Sequence, residues 1–108
     1  MILRLWRGRA DPERSDAYVE HFRRHVVPEL RAVSGFLGAD LLRREVDDGL
    51  EFTVCTRWVS MDAVRCFAGA EPDRAVVDPG AVDVLRAYDD YVTHHVVVEH
   101  VEPAGDRA

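Results

Sequence analysis

Apolar and polar residues alternate over 2–9, with Ile2, Leu3, Leu5 and Trp6 set among Arg4, Arg7 and Arg9, which predicts a half-buried β-strand. Asp11-Pro12-Glu13 then reads as a helix start, Asp11 capping the first free amides and Pro12 occupying the first helical position. Val19, Phe22, Val26, Leu30 and Val33 recur at three- and four-residue spacing and define one packing face. Pro28 interrupts that run without a backbone donor, which predicts a kink or break around residues 26–28. Ser34-Gly35 closes the helix, and Phe36 to Val46 reads as a strand. Asp47-Asp48-Gly49 follows as a hairpin turn, because an Asp-Gly step tolerates positive φ, and Leu50 to Trp58 is the antiparallel partner. Ser60 caps a short helix with Ala63, Val64 and Phe67 inward, and Gly69 ends it. Pro79 opens another, with Val82 and Leu85 inward. Tyr91 to Glu102 completes the pattern as a strand centred on Val96-Val97-Val98, and residues 103–108 read as a disordered tail.

The order strand, helix, strand, strand, helix, strand predicts one α+β domain over residues 1–102. Its arrangement is the ferredoxin-like split βαβ, a four-stranded antiparallel sheet with both helices on one face. In the third strand Phe52, Val54, Thr56 and Trp58 point one way and Glu51, Thr53, Cys55 and Arg57 the other, while the last strand is apolar on both sides. A sheet covered by helices on one side cannot bury two apolar faces alone. The expectation is a homodimer whose sheets pack together and partly enclose a cavity.

Composition narrows the chemistry. The chain has 108 residues and 14 basic ones, all Arg; Lys, Asn and Gln are absent. That excludes a P-loop lysine, a Schiff-base lysine, an N-glycosylation site and carboxamide-based substrate positioning. A net charge of −6 with dispersed arginines argues against nucleic acid as a partner. The absence of a long apolar run argues against a membrane span or leader, so a cytoplasmic location is expected. Cys55 and Cys66 form no metal-type pair and read as reduced, mostly buried packing residues.

His21 and His25 stand four apart on the first helix, but without the Glu of a zinc-protease motif and beside Arg23 and Arg24. They read as helix-flank histidines, and no metal site is expected. His94, His95 and His100 fall on the last strand, where alternation separates 94 and 100 from 95 without saying which side faces a cavity. A cavity histidine can take a proton from a phenol; the alternative is one that hydrogen-bonds within the dimer interface. Trp6 and Trp58 either fill the sheet faces or stack on an aromatic ligand. Arg4, Arg44 and Arg57 are strand arginines that pair with acids at a rim or, pointing inward, stabilise a phenolate. Tyr88 and Tyr91 are further polar aromatics near the same strand.

Three segments carry a resemblance: Leu5-Trp6-Arg7-Gly8, Ser34-Gly35-Phe36-Leu37-Gly38, and Trp58 with Ser60, Ala63 and Phe67. From residue 2 to about residue 100 the sequence resembles the antibiotic biosynthesis monooxygenase domain of the dimeric α/β barrel superfamily. The resemblance implies a dimer with a lumen beside each sheet and O₂ chemistry on a small aromatic or quinol compound without metal, flavin or other cofactor. His94, aligned with a family histidine, and Trp58 are then the catalytic candidates, with Arg4, Trp6, Arg57, Phe67 and Tyr91 as substrate-binding candidates. A non-catalytic dimeric ligand-binding or structural module shares the fold. Haem binding or degradation fits less well: that branch uses a strand Asn, a helical Trp and a following His, whereas this chain lacks Asn, has Phe67 at the helical position and has no His from Ala68 to Val84.

Overall fold

The computed structural model describes residues 1–105, so residues 106–108 of the expected tail lie outside the described residues. Strand β1 (Ile2–Ala10) is central, as its mixed pattern requires. It pairs with β3 (Gly49–Trp58) on one side and, on the other, with two short strands, β4 (Ala87–Tyr88) and β5 (Thr93–Val96). Strand β2 (Phe36–Val46) borders β3, giving the order β2-β3-β1-β4, with β5 further along the same edge of β1. All pairings are antiparallel, so the α+β, ferredoxin-like arrangement is present.

The helical layer begins with a 3₁₀ turn at Pro12–Arg14 and continues as α1 (Ser15–His21), a π turn at Phe22–Val26 and α2 (Val27–Arg31). The side chain of Asp11 makes no cap bond, contrary to expectation; its backbone carbonyl accepts from Arg14 N–H at 2.9 Å. Pro28 does not break the helix. Val27 N–H reaches back five residues to the Phe22 carbonyl, so the turn widens ahead of the proline and absorbs its missing donor. Gly35, at φ 93°, then turns the chain into β2 where a Cβ would lie 2.7 Å from that of Ala63. Helix α3 (Met61–Ala68) is capped by Ser60 Oγ, which accepts from Ala63 N–H at 3.2 Å; α4 (Pro79–Val84) is capped by Asp78 Oδ1, which accepts from Gly80 N–H at 2.8 Å.

One core cluster joins Tyr18, Phe22, Phe52 and Leu85; a second joins Leu30, Trp58, Ala63 and Val64. Both lie on the helix face, which β1 supplies with Ile2, Arg4, Trp6 and Ala10.

Several expectations need correcting. The hairpin forms with positive φ at Gly49 (148°) as expected, but its loop is Asp47-Asp48 alone, Gly49 standing in β3 opposite Val46. On α4 the buried residue is Ala81, joined by Leu85 just beyond the helix, whereas Val82 is exposed; six residues are too short for the assumed period to fix a face. The last strand ends at Val96 instead of Glu102, because Val96 already faces Ile2 and Val97 N–H bonds to the Met1 carbonyl at 3.0 Å. Val98 and Val101 are exposed. Cys66 lies on the solvent side of α3 instead of in the core, and Cys55 is only half-buried. No described helix is long and apolar enough to cross a membrane.

Candidate functional site

Along the helix face of β3, the small side chains Val54 and Thr56 stand between the bulky Phe52 and Trp58. The helices rest on the bulky ends, and a cavity of about 150 Å³ remains above the small ones. Arg4 and Trp6 form its sheet side, Tyr18, His21 and His25 its helical side, and Phe67, Val77 and Val92 contribute further walls. The cavity lies between the sheet and helices of one chain, because the gap comes from side-chain size on the helix face.

Arg4 is only 5% exposed. Its Nη1 donates to the Pro72 carbonyl at 2.7 Å and to His94 Nε2 at 3.0 Å, its Nη2 donates to the Arg74 carbonyl at 3.3 Å, and its guanidinium lies over the Phe67 ring. Burial pulls its pKa down to about 10, with Asp73 pulling the other way, so Arg4 remains charged at neutral pH.

The register pairs Arg4 with His94 and Leu3 with His95, which places His94 on the cavity side and His95 on the other. Arg4 has only donors, so His94 Nε2 must accept; Nδ1 then carries the proton and donates to Asp73 Oδ1 at 3.0 Å. Both ring nitrogens are spent in holding Arg4. Burial lowers the His94 pKa, Arg4 adds to that effect, and Asp73 opposes it.

The other candidates divide by position. Trp6 lines the cavity while its Nε1 donates to the Asp89 carbonyl at 2.8 Å, leaving the ring face free for stacking. Phe67 also lines it. Trp58 is fully buried behind the wall: its Nε1 donates to Thr56 Oγ1 at 2.8 Å and its ring packs on Phe67 at 5.4 Å. Arg57 points to the opposite face and pairs with Asp40 at 2.8 Å. Tyr91 is exposed, under the Arg74 guanidinium and beside a groove formed by Leu5 and Thr53 on that opposite face. Neither Arg57 nor Tyr91 is brought to the cavity, the first by strand parity and the second by the interruption between β4 and β5.

Tyr18 and His21 are cavity residues that sequence reasoning missed. His21 is 8% exposed, not a flank residue, and its buried Nε2 has no hydrogen-bond partner. Such an unmet group costs about 1–3 kcal/mol. The available signal was its three-residue spacing from Tyr18 and its place beside Phe22 on the packing face. Burial raises the Tyr18 pKa, so its hydroxyl stays protonated and can donate. No group of three or more described His, Cys, Asp or Glu side chains is placed to hold a metal ion.

The sequence profile of the antibiotic biosynthesis monooxygenases matches residues 1–78. The chain belongs to that family. A search of curated proteins finds no match. Among solved structures, a Streptomyces coelicolor monooxygenase in complex with nanaomycin D is 20% identical, with a TM-score of 0.63 over 95% of this chain and 92% of that one. The cofactor-independent oxygenase SnoaB of Streptomyces nogalater is 16% identical, with a TM-score of 0.61 over 93% and 95%. The heme-degrader MhuD of Mycobacterium tuberculosis, solved with two hemes in its active site, is 22% identical, with a TM-score of 0.60 over 94% and 100%. These likenesses are of fold.

In this family member the lowered His94 pKa links protonation to unfolding. A group whose folded pKa is depressed contributes stability above its unfolded value, here the ordinary 6.5, and loses it as pH falls through the folded value. Thermal melts in matched buffers should therefore show a larger loss between pH 7 and pH 5 for the wild-type protein than for His94→Gln. Equal losses would mean that burial and Arg4 do not hold His94 neutral.

Proposed function

We propose that the protein is a cofactor-independent oxygenase of a small phenolic or quinol compound, bound in the cavity between sheet and helices. The observation that carries this reading is a charged, almost fully buried Arg4 beside an aromatic-walled space. A planar ring fits between such walls, and Trp6 and Phe67 offer the faces to stack on it. Three of the five Arg4 N–H groups are held by the Pro72 and Arg74 carbonyls and His94, and Arg4 acts on the ligand through its charge, favouring a phenolate or enolate. Such an anion is electron-rich enough to pass electrons to O₂. For an activated ring methylene the balance is CH₂ + O₂ → C=O + H₂O: two C–H bonds and the O–O bond break, and both hydrogens leave in water. All the electrons come from the substrate, so no outside reductant is required. In this reading His94 and Trp58 are positioning residues, His94 for Arg4 and Trp58 for Phe67 and Thr56.

The relatives solved with nanaomycin D and described as cofactor-independent support an aromatic ligand and O₂ chemistry. A porphyrin is poorly matched to a cavity of about 150 Å³, whereas a small aromatic compound can enter it from its open side. The second reading, a binding module without turnover, is favoured by the engagement of three Arg4 N–H groups and of the Trp6 N–H by protein groups. In either case we propose that a second copy of the chain covers the opposite sheet face, where Leu42 is exposed.

Oxygen uptake over the buffer rate is expected with one- or two-ring hydroquinones or anthrones, and Arg4→Met should lower it at least about tenfold, the equivalent of 1.4 kcal/mol in the barrier. Binding detected by thermal shift without uptake would favour the binding module; neither would overturn the aromatic-ligand reading. Light scattering on the eluting protein should give twice the 12.2 kDa chain mass, and a monomer mass would remove the second copy.

A further inference from the structure

We infer that His21 is the ligand-anchoring residue of this cavity, its Nε2 accepting a hydrogen bond from the hydroxyl of a bound phenol or hydroquinone. The inference rests on the aromatic-ligand reading and narrows it to hydroxyl-bearing rings, at the expense of their ethers and of quinones.

Four of the polar side chains around the cavity already have protein partners. Arg4 is engaged by two carbonyls and His94, and the Trp6 N–H by the Asp89 carbonyl. Thr56 Oγ1 donates to the Arg4 carbonyl at 3.5 Å and accepts from Trp58, and Asp78 Oδ1 accepts from Gly80 N–H. His21 stands apart: its side chain belongs to the cavity wall, yet its buried Nε2 has no partner. Nor is the ring placed by accident of a loose helix. It packs beside Tyr18 and His25, with ring centroids 6.0 and 5.1 Å away, and leans on Gly80 so closely that a Cβ there would lie 3.0 Å from both its Cε1 and its Nδ1. The N-terminal turn of α4 thus lacks a side chain where the imidazole rests.

An Nε2 that carries the lone pair needs a donor, and the cavity that His21 lines is where a ligand can supply one. Arg4 and the carboxylates Glu29 and Asp78 share the cavity wall, and a neutral donor suits that mixed field. The aromatic walls ask for a planar carrier. A phenolic hydroxyl meets all three conditions, with its ring between Trp6 and Phe67 and its hydroxyl toward His21.

The test is anaerobic calorimetry, so that turnover does not enter, using 1,4-naphthohydroquinone and its dimethyl ether as probes. The wild-type protein should prefer the hydroquinone about tenfold or more. His21→Phe should abolish that preference, and His21→Gln, which keeps an acceptor, should restore part of it. On the wild-type protein, the ¹⁵N resonance of His21 Nε2 should move with the hydroquinone and not with the ether, a readout that does not depend on a variant folding. A preference retained in His21→Phe, or an unmoved Nε2 resonance with the hydroquinone bound, would overturn the anchoring role and leave the oxygenase reading standing. Failure of both compounds to bind at any concentration would overturn both readings.

Discussion

A cation buried on the helix face of the central strand sets the terms for the rest of this molecule. Taking a guanidinium out of water costs several kcal/mol unless its donors are met, and Arg4 meets them with groups remote in sequence: the Pro72 and Arg74 carbonyls and the ring of His94. Those bonds tie the segment after α3 to β1 and hold it over the cavity. Asp73, between the two carbonyls in sequence, closes the circuit by accepting from His94. Arg4 thus organises the loop, the edge strand and the electrostatics of the cavity at once.

The cavity itself follows from side-chain size. Phe52 and Trp58 hold the helices off the sheet at two places, while Val54 and Thr56 leave space between them. Above that space, the π turn shifts the helical register by part of a turn, so that Val26 and Leu30 come round to the same wall as Tyr18 and His21. Pro28 is the local reason for the π turn, which makes one missing backbone donor a contributor to the shape of the site.

Local signals in the chain were read well where the interaction is itself local. The cap at Ser60, the positive φ at Gly35 and the whole span of β2 lie within a few residues of the features that announce them. The errors have non-local causes. Strand alternation separates Arg57 from Thr56 but does not say which face the helices cover, so Arg57 was grouped with Arg4 although it points away. The Val96-Val97-Val98 run has high strand propensity, yet the ladder stops where β1 begins. His21 was read as a flank residue because two arginines follow it, whereas its burial depends on Tyr18 and on Gly80, some sixty residues away in the chain. The roles of His94 and Trp58 likewise emerge from partners, Asp73 and Thr56, rather than from residue type.

The central claim is that the space between sheet and helices of a single chain is where an aromatic compound binds. A crystal structure of the protein soaked anaerobically with 1,4-naphthohydroquinone tests it most directly. The account predicts ring density between Trp6 and Phe67, within reach of His21 and with the Arg4 bonds to Pro72 and Arg74 intact. Density confined to the opposite sheet face, near Tyr91 and Arg57, or an empty cavity in crystals at saturating ligand, would contradict it.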